Sequence, residues 1–405
     1  MTRPAQAEAA RGAAAGDLAA LAEQARAAGR LGIDTEFMSE GRYLPLLCLV
    51  GVAVPAVEAA GWEQRTELVD PLDELVDATP LAEVLADPEV EVIVHAGRQD
   101  VALLRRTWHT EVRSLFDTQI AAGFAGSGAQ TSYGGLLADL LGLRLPKSAS
   151  FTRWDVRPLT AEQVAYARDD VVHLLSLADV LKRRLLASGR LDWAREECRR
   201  LETASDERDP EQVWQRLPKI GQLSPAARAV ARELAAWRER TAALGDRPVG
   251  SVLPDASLVE VAKRRPTTVQ ALERIRGIQP STLRRRAEAI LTAVQRGLVA
   301  EPLALENGER LDSAPVDTPL IALAEALVRA RALEAGLAYE LVAARSDLAQ
   351  IVSSVRRGRP EPEVRTLHGW RRSLVGAELL DLLAGRRTLS VGTGGRLTIA
   401  ASGRA

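Results

Sequence analysis

The stretch Leu44–Val54, LPLLCLVGVAV, is apolar almost without a break. It is far shorter than a bilayer-spanning segment, and its valines favour strand. A strand with no polar alternation must be covered on both faces, which places it inside a sheet flanked by helices. Leu31–Met38 reads as a neighbouring strand, Glu67–Val69 as a third short one and Glu91–His95 as another. Helical patterns occupy Asp17–Ala28, Leu81–Leu85, Asp100–Trp108, Tyr133–Leu141 and Thr160–Leu186. The last has Thr160 as N-cap and Glu162 in its first turn. Gly123–Ser132 reads as a glycine-rich loop. Strands alternating with helices predict an α/β layer over roughly the first 200 residues.

Acids interrupt these elements at three places: Asp34-x-Glu36, Asp100, and Tyr166-x-x-x-Asp170. On a strand, residues i and i+2 share a face, so Asp34 and Glu36 stand side by side while Ile33, Thr35 and Phe37 face the other way. On a helix, i and i+4 lie one turn apart on one face, so Tyr166 and Asp170 project together. Asp100 opens the helix after a strand, where it can point into a cleft at the strand's C-terminal end. Each signal has a plain reading on its own: a solvated strand face, a surface pair, a helix cap. Together they predict an all-oxygen site for hard divalent cations, the equipment for hydrolysing a phosphodiester. Asp169 points about 100° away round the helix and reads as a solvated acid, and His173 as structural.

The strings GIDTEF (32–37), YLPLLCLV (43–50), VHAGRQDVALL (94–104), LFDTQIAA (115–122), SYGGLL (132–137) and RPLTAEQVAYARDDVVHLL (157–175) resemble ribonuclease D, within the DEDD superfamily of 3′→5′ exonucleases. The resemblance covers roughly residues 15 to 200. Tyr166, four before Asp170, matches the tyrosine subclass; the histidine subclass wants His where Ala165 stands. The resemblance implies a ribonuclease H-like mixed sheet with flanking helices. It implies that Asp34, Glu36, Asp100 and Asp170 hold two divalent ions, Mg²⁺ or Mn²⁺. Asp34 would touch both, Glu36 and Asp170 would hold the ion nearer the attacking water, and Asp100 the other. Tyr166 would orient that water or help deprotonate it. Lys147 and Arg157 are expected on substrate phosphate, and Trp154 either stacks a base or packs its loop. The chain departs from the family pattern at Leu46 and Gly51, often polar in relatives, and at Arg153, more commonly Asp. Those departures bear on substrate preference.

The formal net charge of −1 conceals an asymmetry. Residues 1–210 carry −10, residues 211–300 carry +8 and residues 301–405 carry +1. An acidic part joined to a basic part predicts metal binding in one and polyanion binding in the other. Only 4 of the 53 basic residues are Lys, which reads as a GC-rich genome. Residues 201–210 and 297–319 read as linkers. Between them the pattern is helical throughout, and 224–296 resembles an HRDC domain. Lys263, Arg264 and Arg265, with Arg284, Arg285 and Arg286, would give it a surface for nucleic-acid backbone. Residues 321–383 resemble the second helical domain of some ribonucleases D, with Arg356, Arg357, Arg359, Arg365, Arg371 and Arg372 expected along the substrate path. Thr388–Ile399 fits either a small hairpin or disorder.

The expected organisation is an α/β exonuclease domain over 1–205, an HRDC domain over 211–298, a second small all-α domain over 317–387 and a tail over 388–405. Cys48 and Cys198 supply neither a disulfide framework nor zinc spacing, and no signal peptide is apparent, so cytoplasm is the default. The expected activity is 3′→5′ trimming of structured RNA, tRNA precursors by resemblance, with release of nucleoside 5′-monophosphates. The alternatives are a DNA exonuclease and a non-catalytic nucleic-acid-binding scaffold.

Overall fold

A computed structural model describes residues 15–56, 64–128, 130–146, 153–304 and 316–402. The chain divides into two compact units. One joins Met1–Glu36, Leu49–Ala204 and Arg310–Ala405; the other joins Phe37–Cys48 and Ser205–Glu309.

The first unit opens with α1 (Ala15–Ala28), β1 (Arg30–Met38), β2 (Leu46–Pro55) and β3 (Gln64–Val69). Next come α2 (Thr79–Ala86), β4 (Glu91–Val94), α3 (Arg98–Thr107), β5 (Leu115–Asp117) and α4 (Thr118–Phe124). The five strands form one sheet in the order β3-β2-β1-β4-β5. β1, β4 and β5 run parallel, with Leu31 opposite Val92 and Ile93 opposite Phe116, while β2 and β3 are antiparallel. The apolar run behaves as its composition dictates: Leu47 to Val54 is buried along β2. β5 and α4 fall in a stretch with no strand or helix signal. A three-residue strand is too short to show a period, and α4 depends on Asp117, which accepts the Gln119 and Ile120 amides at 2.8 and 3.2 Å. The helix α5 (Tyr133–Leu136) follows, capped by Ser132.

The expected single helix over 160–186 is two, α6 (Ala161–Val172) and α7 (Leu174–Ala187), meeting at His173. Thr160 and Gln163 form a reciprocal capping box at the start of α6. No Pro or Gly marks the break. It falls where the helices cross the sheet: a Cβ on Gly51 of β2 would stand 3.0 Å from Val171 and 3.1 Å from the Ala167 carbonyl. Glycine at 51 therefore lets α6 press onto β2. The helix α8 (Leu191–Arg199) ends this part.

The second unit is helical: α9 (Pro225–Leu244), α10 (Val249–Val252), α11 (Asp255–Arg264), α12 (Val269–Glu273) and α13 (Pro280–Val299). Its core gathers Trp214, Leu234, Leu258, Leu272, Ile290 and Val294.

The last helices, α14 (Asp317–Ala335), α15 (Tyr339–Val342), α16 (Arg345–Arg356), α17 (Gly369–Arg371) and α18 (Ala377–Leu383), belong to the first unit. Leu327, Val352, Trp370 and Leu379 share one apolar core with Phe124, Leu136, Leu177 and Leu185. These are the helices expected as a second small all-α domain, and through that core they pack on the α/β part. Polar contacts cross the seam as well: Arg190 donates to the Ala335 carbonyl, and Arg371, 1% exposed, forks onto the Glu197 carboxylate, with Nη2 to Oε2 at 3.0 Å, while its Nε reaches the Leu341 carbonyl at 2.8 Å. The Trp370 indole donates to the same carboxylate at 3.1 Å and stacks on Trp193 at 5.1 Å. The segment left between hairpin and disorder is a hairpin, β6 (Arg387–Val391) with β7 (Leu397–Ala401). No helix among the described residues is long and apolar enough to cross a membrane.

Candidate active site

β1 carries Asp34 and Glu36, α3 carries Asp100, and α6 carries Tyr166 and Asp170. Ligand oxygens of Asp34, Glu36 and Asp170 all lie within 4.8 Å of one another. Strand periodicity supplies two of the three and the close approach at Gly51 brings in the third. Asp100 adjoins this set without joining it. It is 9% exposed, and its Oδ1 accepts the Thr35 amide at 3.2 Å and the Thr35 hydroxyl. Sequence reasoning passed over Thr35, since strand alternation puts it on the face away from its acidic neighbours. That same alternation leaves it free to fix the fourth carboxylate.

Among the described residues no Arg or Lys stands within ion-pair distance of these four acids. Their titration shows the consequence. Burial, then Asp100, Asp170 and Glu36, holds Asp34 well above the usual carboxylate range. Burial, then Asp170 and Asp100, pushes Glu36 up to about 8. Burial lifts Asp100 to about 6 against the bonds from Thr35, and lifts Asp170 to about 6 against the bond from Tyr166. Crowded acids with no basic partner among the described residues call for a cation, and oxygen-only donors suit a hard divalent one. The residues present therefore fit divalent metal.

Tyr166 is hydrogen-bonded to Asp170, and burial followed by the Asp170 charge raises its phenol pKa. It stays protonated at neutral pH, so it is a donor. Trp154 is 3% exposed and packs against Tyr166 with ring centroids 6.1 Å apart. Of the two readings of Trp154, loop packing is the one its burial matches. Arg157 spends its guanidinium inside the protein, on Asp70 and on the carbonyls of Trp154 and Val156. Lys147 lies outside the described residues. Asp169 is half-buried, and His173 serves as the joint between α6 and α7.

In the helical unit Lys263, Arg264 and Arg265 are exposed at the end of α11, with Arg264 paired to Glu260 at 2.5 Å. Arg284 and Arg285 are exposed on α13. Arg286 instead donates to the Val252 carbonyl at 2.9 Å, and burial with Arg247 and Arg285 nearby lowers its pKa. Arg371, expected along a substrate path, is wholly buried on Glu197. Arg356, Arg365 and Arg372 pair with Asp317, Asp347 and Glu361. Of these four, Arg371 reaches across the apolar seam to Glu197, and the other three pair within the final helices.

A mixed sheet with clustered acids on its central strand and on a helix crossing it is the framework of a metal-dependent phosphodiester hydrolase. Residues 14–186 match the family model described as 3'-5' exonuclease, and residues 227–294 match that of the HRDC domain. Ribonuclease D of Gluconacetobacter diazotrophicus is 36% identical over 379 residues, 93% of each chain. That of Acidiphilium cryptum is 34% identical over 390 residues, 96% of this chain and 93% of the other. Among solved structures, Escherichia coli RNase D, an exoribonuclease involved in structured RNA processing, superposes with a TM-score of 0.79 at 28% identity, covering 91% of this chain and 96% of its own. The chain belongs to the ribonuclease D family, and it is a 3′–5′ exoribonuclease.

Proposed function

We propose that the enzyme trims 3′ ends of structured RNA, tRNA precursors among them, and releases nucleoside 5′-monophosphates in the cytoplasm. The observation that carries this reading is the convergence of Asp34, Glu36 and Asp170 oxygens beside Asp100, with no basic partner among the described residues. Asp34, Glu36, Asp100 and Asp170 would together hold two divalent ions, Mg²⁺ or Mn²⁺. Bound there, such ions supply an acidified water and charge neutralisation at the attacking and leaving oxygens. The four carboxylates balance the charge of the pair.

The remaining work falls to protein groups. The Tyr166 hydroxyl, protonated and donating to Asp170, orients the attacking water by accepting a hydrogen bond from it. Thr35 holds Asp100 in place from the opposite face of β1. The exposed Lys263, Arg264, Arg265, Arg284 and Arg285 hold RNA backbone, a contact that weakens with salt. Lys147 remains a candidate for substrate phosphate.

The test is digestion of a 3′-extended tRNA, with products resolved nucleotide by nucleotide, by wild type and Asp34→Ala. The variant is expected to lose divalent-dependent mononucleotide release while keeping its circular dichroism spectrum. Undiminished release by a folded Asp34→Ala rejects the mechanism. A matched DNA oligonucleotide in parallel measures the preference for ribose.

A further inference from the structure

All three nitrogens of the Arg157 guanidinium donate within the first unit. Nε and Nη2 fork onto Asp70 at 2.5 and 2.7 Å, and Nη1 reaches the carbonyls of Trp154 at 2.7 Å and Val156 at 3.0 Å. The partners are 87 positions apart in sequence. Asp70 follows the last residue of β3, and Val69 is register partner to Val50 of β2, so the carboxylate is fixed to the sheet. Its Oδ1 also accepts the Leu72 amide at 3.0 Å. The two side chains keep only 29% and 16% of their exposure. A two-pronged arginine–carboxylate pair is the geometrically exacting kind.

We infer that Asp70 and Arg157 form a latch that positions Tyr166. The latch holds the turn over residues 153–157 by two of its carbonyls. That turn carries Trp154, whose buried ring lies against Tyr166. Gln163, in the first turn of α6, donates to the Arg153 carbonyl at 3.4 Å, so the turn is held to the helix that bears Tyr166 and Asp170. Arg157 is thus a positioning residue, and it acts on the reaction through Trp154. The inference rests on the role of Tyr166 proposed above.

Two rival roles predict different kinetics. A phosphate-binding Arg157 gives, on Arg157→Gln, a higher KM and a flatter salt dependence, while Asp70→Asn changes neither kcat nor KM. A latch gives a loss of kcat of about 10- to 100-fold for both variants, with KM within about twofold of wild type. The double variant then falls no further than the worse single one, because both break one unit.

The experiment measures kcat and KM of full-length Asp70→Asn, Arg157→Gln and the pair on one RNA oligonucleotide in Mn²⁺, with Mn²⁺ affinity followed by electron paramagnetic resonance. The expected result is the shared kcat loss at unchanged Mn²⁺ affinity. A structural readout stands beside it: fluorine spectra of protein labelled with 5-fluorotryptophan, the Trp154 line assigned by Trp154→Phe. That line is expected to shift or broaden in Asp70→Asn. Wild-type kcat together with an unmoved Trp154 line in Asp70→Asn overturns the latch alone. Absence of divalent-dependent release by wild type instead sinks the parent reading.

Discussion

Two glutamates of the first unit, Glu36 and Glu197, are both largely withdrawn from water and titrate in opposite directions. Glu36 faces Asp170 and Asp100, and its proton is held up to about 8. Burial pushes Glu197 the same way, but Arg371, the Trp370 indole and Arg200 overcome it and hold Glu197 below its ordinary value. The acid at the seam is answered within the chain; the acid at the active site is left for a ligand to answer. A protein that left Glu197 unanswered would lose stability, and one that answered Glu36 with an arginine would lose its metal site.

The largest effect expected from breaking this contrast is catalytic. Asp34→Asn removes one charge at nearly constant shape, and kcat should fall by about 10³-fold or more, with the fold retained by circular dichroism. A loss under about tenfold would mean that Asp34 is not central. The mirror experiment is Glu197→Gln, which strands the buried Arg371 charge. It should cost about 3–5 kcal/mol in urea titration, with activity per folded molecule retained. Gly51→Ala tests how the third carboxylate arrives. With Val171 at 3.0 Å, the methyl should lift α6 and lower kcat about tenfold, read against an unaltered KM.

The smallest effect is on stability against pH. A carboxylate with a raised folded-state pKa stabilises the protein at low pH, and that stability is lost as pH rises toward the raised value. In EDTA the melting temperature should therefore fall between about pH 5 and pH 8, by about 2–4 °C, with Glu36→Gln flattening the fall. Mn²⁺ should restore more at pH 8 than at pH 6. Glu197 has the opposite sign: its contribution is present above its unfolded pKa and lost as pH falls through the lower folded one. A Mn²⁺ effect independent of pH would separate the metal from these acids.

Local periodicity made much of the site legible. Asp34 and Glu36 follow from the strand repeat, Tyr166 and Asp170 from the helix repeat, and the apolar run at Leu44–Val54 announced the sheet. What stayed hidden is what depends on contacts between distant segments. Thr35 holds Asp100 across 65 positions, Asp70 holds Arg157 across 87, and Glu197 meets Arg371 across 174. No window of the sequence displays such pairs. The break at His173 stayed hidden because no Pro or Gly marks it.

The apolar seam between Phe124, Leu185 and the final helices makes the first unit discontinuous, with its closing pieces at the far end of the chain. A ribosome that has finished the acidic cluster must still translate about 200 further residues before the core can be sealed. Messages cut short before Trp370 and Arg371 would release chains with Phe124 and Trp193 bare. Such fragments would be prey for proteases before they became nucleases, so an unfinished copy would be cleared rather than left loose among the cell's transcripts.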